Sequence, residues 1–147
     1  MDLKAIADAL AAQFVGVTAN GEALTAPPTA SLPNAINAGP VLLVYHPTGV
    51  LEIGVSRLRY DEYDFPVRLL RDPTDVPTRS DLLYAWHNAM RDVVEANMDL
   101  GLSYVAWARP VSSRVDLDGE EYAKVTFDVV ELIVRVHVYE VVTTVAV

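Results

Sequence analysis

Glu131-Leu-Ile-Val-Arg-Val-His-Val-Tyr139 decides the fold class, because Leu132, Val134, Val136 and Val138 alternate with Glu131, Arg135, His137 and Tyr139. A side-chain period of two places the two sets on opposite faces of a strand, one buried and one polar. β-Forming residues continue from Val141 to Val147, so the last strand is either long or bent. Just upstream, Tyr104 to Val115, broken at Pro110, and Tyr122 to Val130 read as a hairpin, with Asp116-Leu-Asp-Gly119 as its turn.

Working back toward the N terminus, the period changes. Leu82, Leu83, Trp86, Met90, Val93, Val94 and Met98 fall at successive helical turns, with Asp81, Asn88, Arg91, Asp92 and Glu95 on the other side. Thr78 or Ser80 caps this helix, and Gly101 sits where a left-handed C-terminal residue is expected. Its apolar stripe is wide enough to lie on a sheet. Earlier still, Val41 to His46 and Val50 to Val55 read as a hairpin around Pro47-Thr-Gly49. Leu58 to Leu69 reads as two strands joined at an acidic tip, Asp61-Glu62 and Asp64, with Phe65, Val67 and Leu69 facing inward. Pro66 then requires an unpaired side or a bulge, because it has no N–H to give a ladder.

At the start of the chain Asp2 is a good N-cap, and Leu3, Ile6, Ala7, Leu10 and Phe14 predict a helix from residue 3 to about 14. Between it and the first hairpin, Pro27, Pro28, Pro33 and Pro40 stand among Asn20, Gly21, Asn34, Asn37 and Gly39. This predicts a long loop with at most short strands; its 18–40 portion is either a contact arm or a plain connector. Hairpin-length connections rather than crossovers then give one α+β domain over residues 1–147, a mostly antiparallel sheet with two helices packed on one face.

Composition bounds the chemistry. Of 147 residues, 52% are apolar and 21% charged, enough apolar material for one core. Twenty acidic against eleven basic side chains give a net charge of −9, which argues against a polyanion-binding surface. The absence of cysteine excludes disulfides, thiolate metal sites, iron–sulfur clusters and cysteine nucleophiles. No secretory h-region and no apolar run of about 18 residues is present, so a soluble, intracellularly made protein is expected, with no membrane partner. The positive mean hydropathy, +0.23, and the β-rich C terminus leave apolar surface in excess, which assembly would use.

No catalytic pattern stands out. His46, His87 and His137 have no ligand-type spacing to one another. Gly54-Val-Ser56-Arg-Leu58 lacks the second glycine of a nucleophile elbow. The seven glycines make no phosphate loop, and Asp116-Leu-Asp118-Gly-Glu120 does not complete a calcium loop. We therefore expect no enzyme, and no catalytic, metal or cofactor residues. Arg57, Arg59, Arg68 and Arg71 balance Glu52, Asp61, Glu62 and Asp64 over residues 41–71, which suggests ion pairs across strands or subunits. Residues 72–102 carry two basic and six acidic side chains, centred on the second helix.

One resemblance spans nearly the whole chain. A helix Leu3-Lys-Ala-Ile-Ala-Asp-Ala-Leu10, a segment Pro27-Pro-Thr-Ala30 and a β-hairpin come first. A strand Tyr63-Asp-Phe-Pro-Val-Arg-Leu-Leu70 runs into Arg71-Asp-Pro-Thr-Asp75, an amphipathic helix and a closing strand Glu131-Leu-Ile-Val-Arg-Val-His-Val138. This arrangement resembles the small tail terminator, or tail-completion, proteins of long-tailed bacteriophages, often labelled minor tail proteins. The resemblance implies a virion protein of the head-proximal end of the tail, assembled in the host cytoplasm. It would form a ring, usually a hexamer, that ends tail-tube growth and meets the head–tail connector, with no cofactor and no catalysis. DNA would pass through the lumen without specific binding.

On that basis the expected subunit or neighbour contacts are Pro27 and Pro28 of the loop, Asp61, Glu62 and Asp64, and the arginines Arg57, Arg59, Arg68 and Arg71. Asp81, Asp92 and Glu95 would face solvent or the lumen. A head-side connector or stopper subunit is the near alternative. A small-molecule-binding α+β domain walled by Tyr60, Tyr63, Trp86 and Trp107 is the more distant one.

Overall fold

The computed structural model describes residues 2–36, 39–53, 58–73 and 78–141. Its elements run α1 (Leu3–Gln13), β1 (Thr18–Ala19), β2 (Glu22–Ala23), β3 (Val41–Val44), β4 (Thr48–Ile53), β5 (Leu58–Arg71), α2 (Arg79–Ala96), β6 (Val105–Tyr122) and β7 (Val125–Val141). This is an α+β fold. The main sheet is antiparallel in the order β3-β5-β7-β6, with β4 beside β3 on the same edge of β5, and β1-β2 forms a separate two-stranded ribbon.

The alternation in β7 settles which side is the core. Val130, Leu132, Val134, Val136 and Val138 join Phe65, Val67 and Leu69 of β5 and Leu42 and Val44 of β3 in one buried cluster. Ile6, Leu10 and Phe14 of the α1 stretch and Leu83, Trp86, Met90 and Val94 of α2 pack into the same cluster, so both helices cover one face. Each such side chain stabilises the fold by about 1.5–3 kcal/mol. Asp2 caps α1, its carboxylate accepting from the N–H groups of Lys4 at 2.9 Å and Ala5 at 3.4 Å.

Several expected connections are different, each for a physical reason. β3 and β4 do not pair with each other; both pair with β5, opposite residues 67–70 and 59–64. Pro66 explains the break between them, because its carbonyl accepts from the Tyr45 N–H at 2.8 Å while it offers no N–H on that side. Nor do Asp61, Glu62 and Asp64 form a tip: β5 runs through them without a turn, and all three pair with β7.

The expected turn at residues 116–119 is a bulge inside β6, where Asp116 faces Val129 and Glu120 faces Phe127. The real turn is Ala123-Lys124, both in the left-handed region (φ 49° and 68°), as a two-residue hairpin requires. Gly119 is needed for packing instead: a Cβ there would lie 2.4 Å from the Asp116 Cβ and 2.9 Å from Val129 Cγ1. At the other end of the sheet-bound helix, α2 stops at Ala96, capped by Asn97, and Gly101 (φ 70°) belongs to the following turn. Met98, expected in the apolar stripe, is exposed. Gly54, Val55 and residues 142–147, read as strand from the sequence, lie outside the described residues.

Replacing Phe65 by Ala removes a fully buried ring from the middle of the core and should cost about 3–5 kcal/mol, whereas the exposed Tyr84→Ala should stay within about 0.5 kcal/mol. Urea denaturation of the two variants beside the parent measures both.

Candidate functional site

With both helices on one face, the other face of the sheet is left to meet something else. It divides in two. Toward one end, Val41, Leu43, Leu70, Phe127 and Val129 form a second apolar cluster, against which Ile36, Tyr45 and Tyr122 pack. The Tyr122 hydroxyl donates to the Pro33 carbonyl, so this part of the proline-rich stretch is fastened over the sheet. The stretch is tied at its other end too, by the Thr25 N–H to the Pro40 carbonyl at 3.0 Å and a bridge between Thr29 and Leu43.

The other half of this face is a belt of paired charges. Arg68 reaches Glu131 and Glu120, and Arg114 reaches Glu131 and Asp116, tying β5, β7 and β6 together. Arg135 grips Asp64 through two bonds, at 2.9 and 3.1 Å, and His137 Nδ1 lies 3.4 Å from Glu62. The His137 ring stacks on Trp107 with centroids 5.1 Å apart, and the Arg109 guanidinium lies over Trp107 at 4.2 Å. Burial alone would raise the Glu131 carboxyl, but the two arginines outweigh it and hold it below its ordinary value of 4.5. Arg68, Arg114 and Arg135 already face carboxylates and have little left to offer a polyanion, while Arg109 is engaged by the Trp107 ring.

On the helix face an acid, Asp128, precedes the apolar row Val130 to Val138 of β7. Asp128 is fully buried, takes two bonds from the Arg79 guanidinium and accepts from the Asp118 N–H at 2.8 Å. Arg79 also reaches Asp118 at 2.8 Å, so the first residue of α2, the bulge of β6 and the start of β7 meet at one point. Burial disfavours the Asp128 carboxylate, but Arg79 and the Asp118 N–H more than offset it, and its carboxyl sits below its ordinary 3.8. A second junction is Glu22, which accepts from Trp86 Nε1 at 2.7 Å and from Arg71 Nε at 3.0 Å and so anchors the β1-β2 ribbon.

The residues singled out from the sequence thus take distinct positions. Arg68, Glu62 and Asp64 lie together on the open face, paired within the chain; Arg71 lies at the Glu22 junction. Asp61 is 2% exposed and faces the core side, where it accepts from the Tyr63 hydroxyl at 3.3 Å, so it is no surface contact. Pro27 and Pro28 line a shallow depression with Val15, Val17 and Leu24. Asp81, Asp92 and Glu95 are exposed on α2. Arg57 and the side chain of Arg59 lie outside the described residues. Of the proposed aromatic walls, Trp86 is core, Tyr63 packs against that core and Trp107 is on the open face, so these three form no common pocket; the Tyr60 side chain lies outside the described residues.

What sequence reading missed are the two edges. Beside β3, the N-terminal end of α1, the 30–32 segment and the end of β3 enclose a groove of about 560 Å³ that includes Leu3, Ala7, Leu32, Val44 and Pro47. On the far edge, β6 exposes Val111 and Leu117. No family model matches the chain, and no curated protein matches it. Among the described residues no group of three or more His, Asp or Glu could hold a metal ion, and no helix is long and apolar enough to cross a membrane.

The lowered carboxyl of Asp128 gives a signed pH dependence. Its stabilisation is complete above the unfolded value, near 3.8, and is lost as pH falls through the lower folded value. Asp128→Asn should therefore lower the melting temperature at pH 7 and shrink the difference from the parent below about pH 4, as followed by thermal melts across an acid series.

Proposed function

We propose that this chain is a non-catalytic structural subunit that forms a ring at the head-proximal end of a phage tail, where it ends tail-tube growth and joins the tail to the head connector. The observation that carries this reading is the presence of unlike apolar surfaces on opposite edges of one sheet: Leu3 and Leu32 beside β3, Val111 and Leu117 on β6. Contact between two different patches of neighbouring copies is heterologous, and such contacts close into a ring when the rotation between copies divides a full turn. An edge left for self-association also gives a use to the apolar excess of the chain.

The charge distribution supports the same reading. DNA sliding through a ring must not be held, and a protein of net charge −9 whose belt arginines face carboxylates offers it few cations. Asp81, Asp92 and Glu95, exposed on α2, suit a surface that repels phosphate. The family resemblance supplies the place of action, the virion tail, and the neighbours, a tail-tube protein on one side and a connector protein on the other. Assembly takes place in the host cytoplasm and requires no cofactor.

Native mass spectrometry and negative-stain microscopy over a rising concentration series, with and without tail-tube protein, test this. A discrete closed oligomer, a hexamer by the resemblance, is expected to bind tube ends. A strictly monomeric chain under every condition overturns the reading, and co-assembly with portal or adaptor protein in place of tube protein reassigns the ring to the head side.

A further inference from the structure

The two edges differ in shape as well as in sequence. On β6, Leu117, Asp118 and Gly119 stand against the single residue Asp128 of β7, so the bulge carries three residues where the ladder has room for one. Asp118 turns toward the helices and is held by Arg79 and Asp128. Leu117 remains outside the pairing and is 48% exposed, a large apolar side chain on a backbone fixed from beneath. Of the four acids between Asp116 and Glu121, Asp116, Asp118 and Glu120 are paired with Arg114, Arg79 and Arg68, which leaves Glu121 to meet a neighbour.

The groove beside β3 has the opposite character. Its apolar floor is rimmed by Lys4 and His46, and no carboxylate lines it. Lys4 reaches Asp8 at 3.1 Å, but that pair is largely solvent-exposed, of a kind worth under about 1 kcal/mol, and yields readily to a better partner. Among the described residues Glu121 makes no ion pair. The ladders also align the two features. Val44 lies across from Val67, Leu132 and Ser113, whereas the bulge faces Asp128, four residues along β7 from Leu132. The offset along the strands is roughly 13 Å, small enough for a modest tilt between neighbouring copies to absorb.

We propose that the Leu117 bulge of one copy seats in the α1 groove of the next, Leu117 entering between Leu3 and Leu32 while Glu121, on the flank of the bulge, meets Lys4 and His46. This pairing rests on the ring reading above and specifies its contact. The contact is heterologous, so each copy uses its β6 edge once and its β3 edge once. The Arg79–Asp128 clamp acquires a role in assembly, because it sets the conformation of the bulge before a neighbour arrives and so lowers the ordering cost of association.

The absence of cysteine makes a direct test clean. The full-length double variant Leu32→Cys/Leu117→Cys, oxidised under assembly conditions, should give a ladder of disulfide-linked multimers on a non-reducing gel, while neither single variant should extend beyond a dimer. In parallel, Leu117→Glu should raise the concentration for half-assembly by at least about tenfold; at a concentration too low for assembly its melting temperature should match the parent, because the side chain is 48% exposed. Rings from the parent chain without the double-cysteine ladder, or rings undiminished in Leu117→Glu, overturn this pairing and leave the ring reading standing. A parent chain that never leaves the monomer overturns both.

Discussion

The structure depends on β7 being paired along nearly its whole described length on both sides. Its partners β5 and β6 are tied to it by antiparallel ladders, unbroken on the β5 side and bulged on the β6 side, and its alternating side chains leave no freedom of register. A slip of one residue would move Val130, Leu132, Val134, Val136 and Val138 to the open face and bring Glu131, Arg135 and His137 into the core. The cost of that exchange fixes which face the helices cover. It fixes equally which face is left with the belt of ion pairs, so core and open surface are two outcomes of one alternation.

Asp128 is the exception in that row, and its consequences reach furthest. A carboxylate at a core-facing position is tolerable only with full compensation, which Arg79 and the Asp118 N–H supply. Meeting that need draws the start of α2 onto the sheet and bends β6 into the bulge that presents Leu117. α2 has a cap residue, Thr78, whose side chain makes no capping bond, so the start of this helix is defined by Arg79 reaching across the fold. A buried charge therefore links helix placement, edge shape and the surface we assign to the neighbouring copy.

How much was legible follows from the range of the interactions. Both helices could be read because their signals are local: Asp2 capping residues two and three positions on, and apolar residues every three to four positions. The inward set Phe65, Val67 and Leu69 and the alternation of β7 were legible for the same reason. The misreadings occur where a residue pair has two uses. Asp118-Gly119 is a strong turn signal, yet the left-handed Asp118 serves a bulge and the turn falls on Ala123-Lys124, which carry no turn signal of their own. Asp61, Glu62 and Asp64 looked like a tip because charge marks loops, but in the fold Asp64 and Glu62 meet Arg135 and His137, more than seventy residues away.

By itself the sequence determined the α+β class, the two amphipathic helices, the inward residues of the central strands, and a net charge of −9. Those properties depend on period and composition, which a linear chain displays. Only the tertiary structure decided that β3 and β4 share one edge of β5, that Asp61 lies inside, that Arg68 and Arg71 are answered within the chain, and that a groove and a bulge stand on opposite edges. Each of these depends on which distant residue arrives opposite a given position, and the partner of Asp128 or of Arg68 is set by ladder register and helix docking rather than by neighbours in sequence.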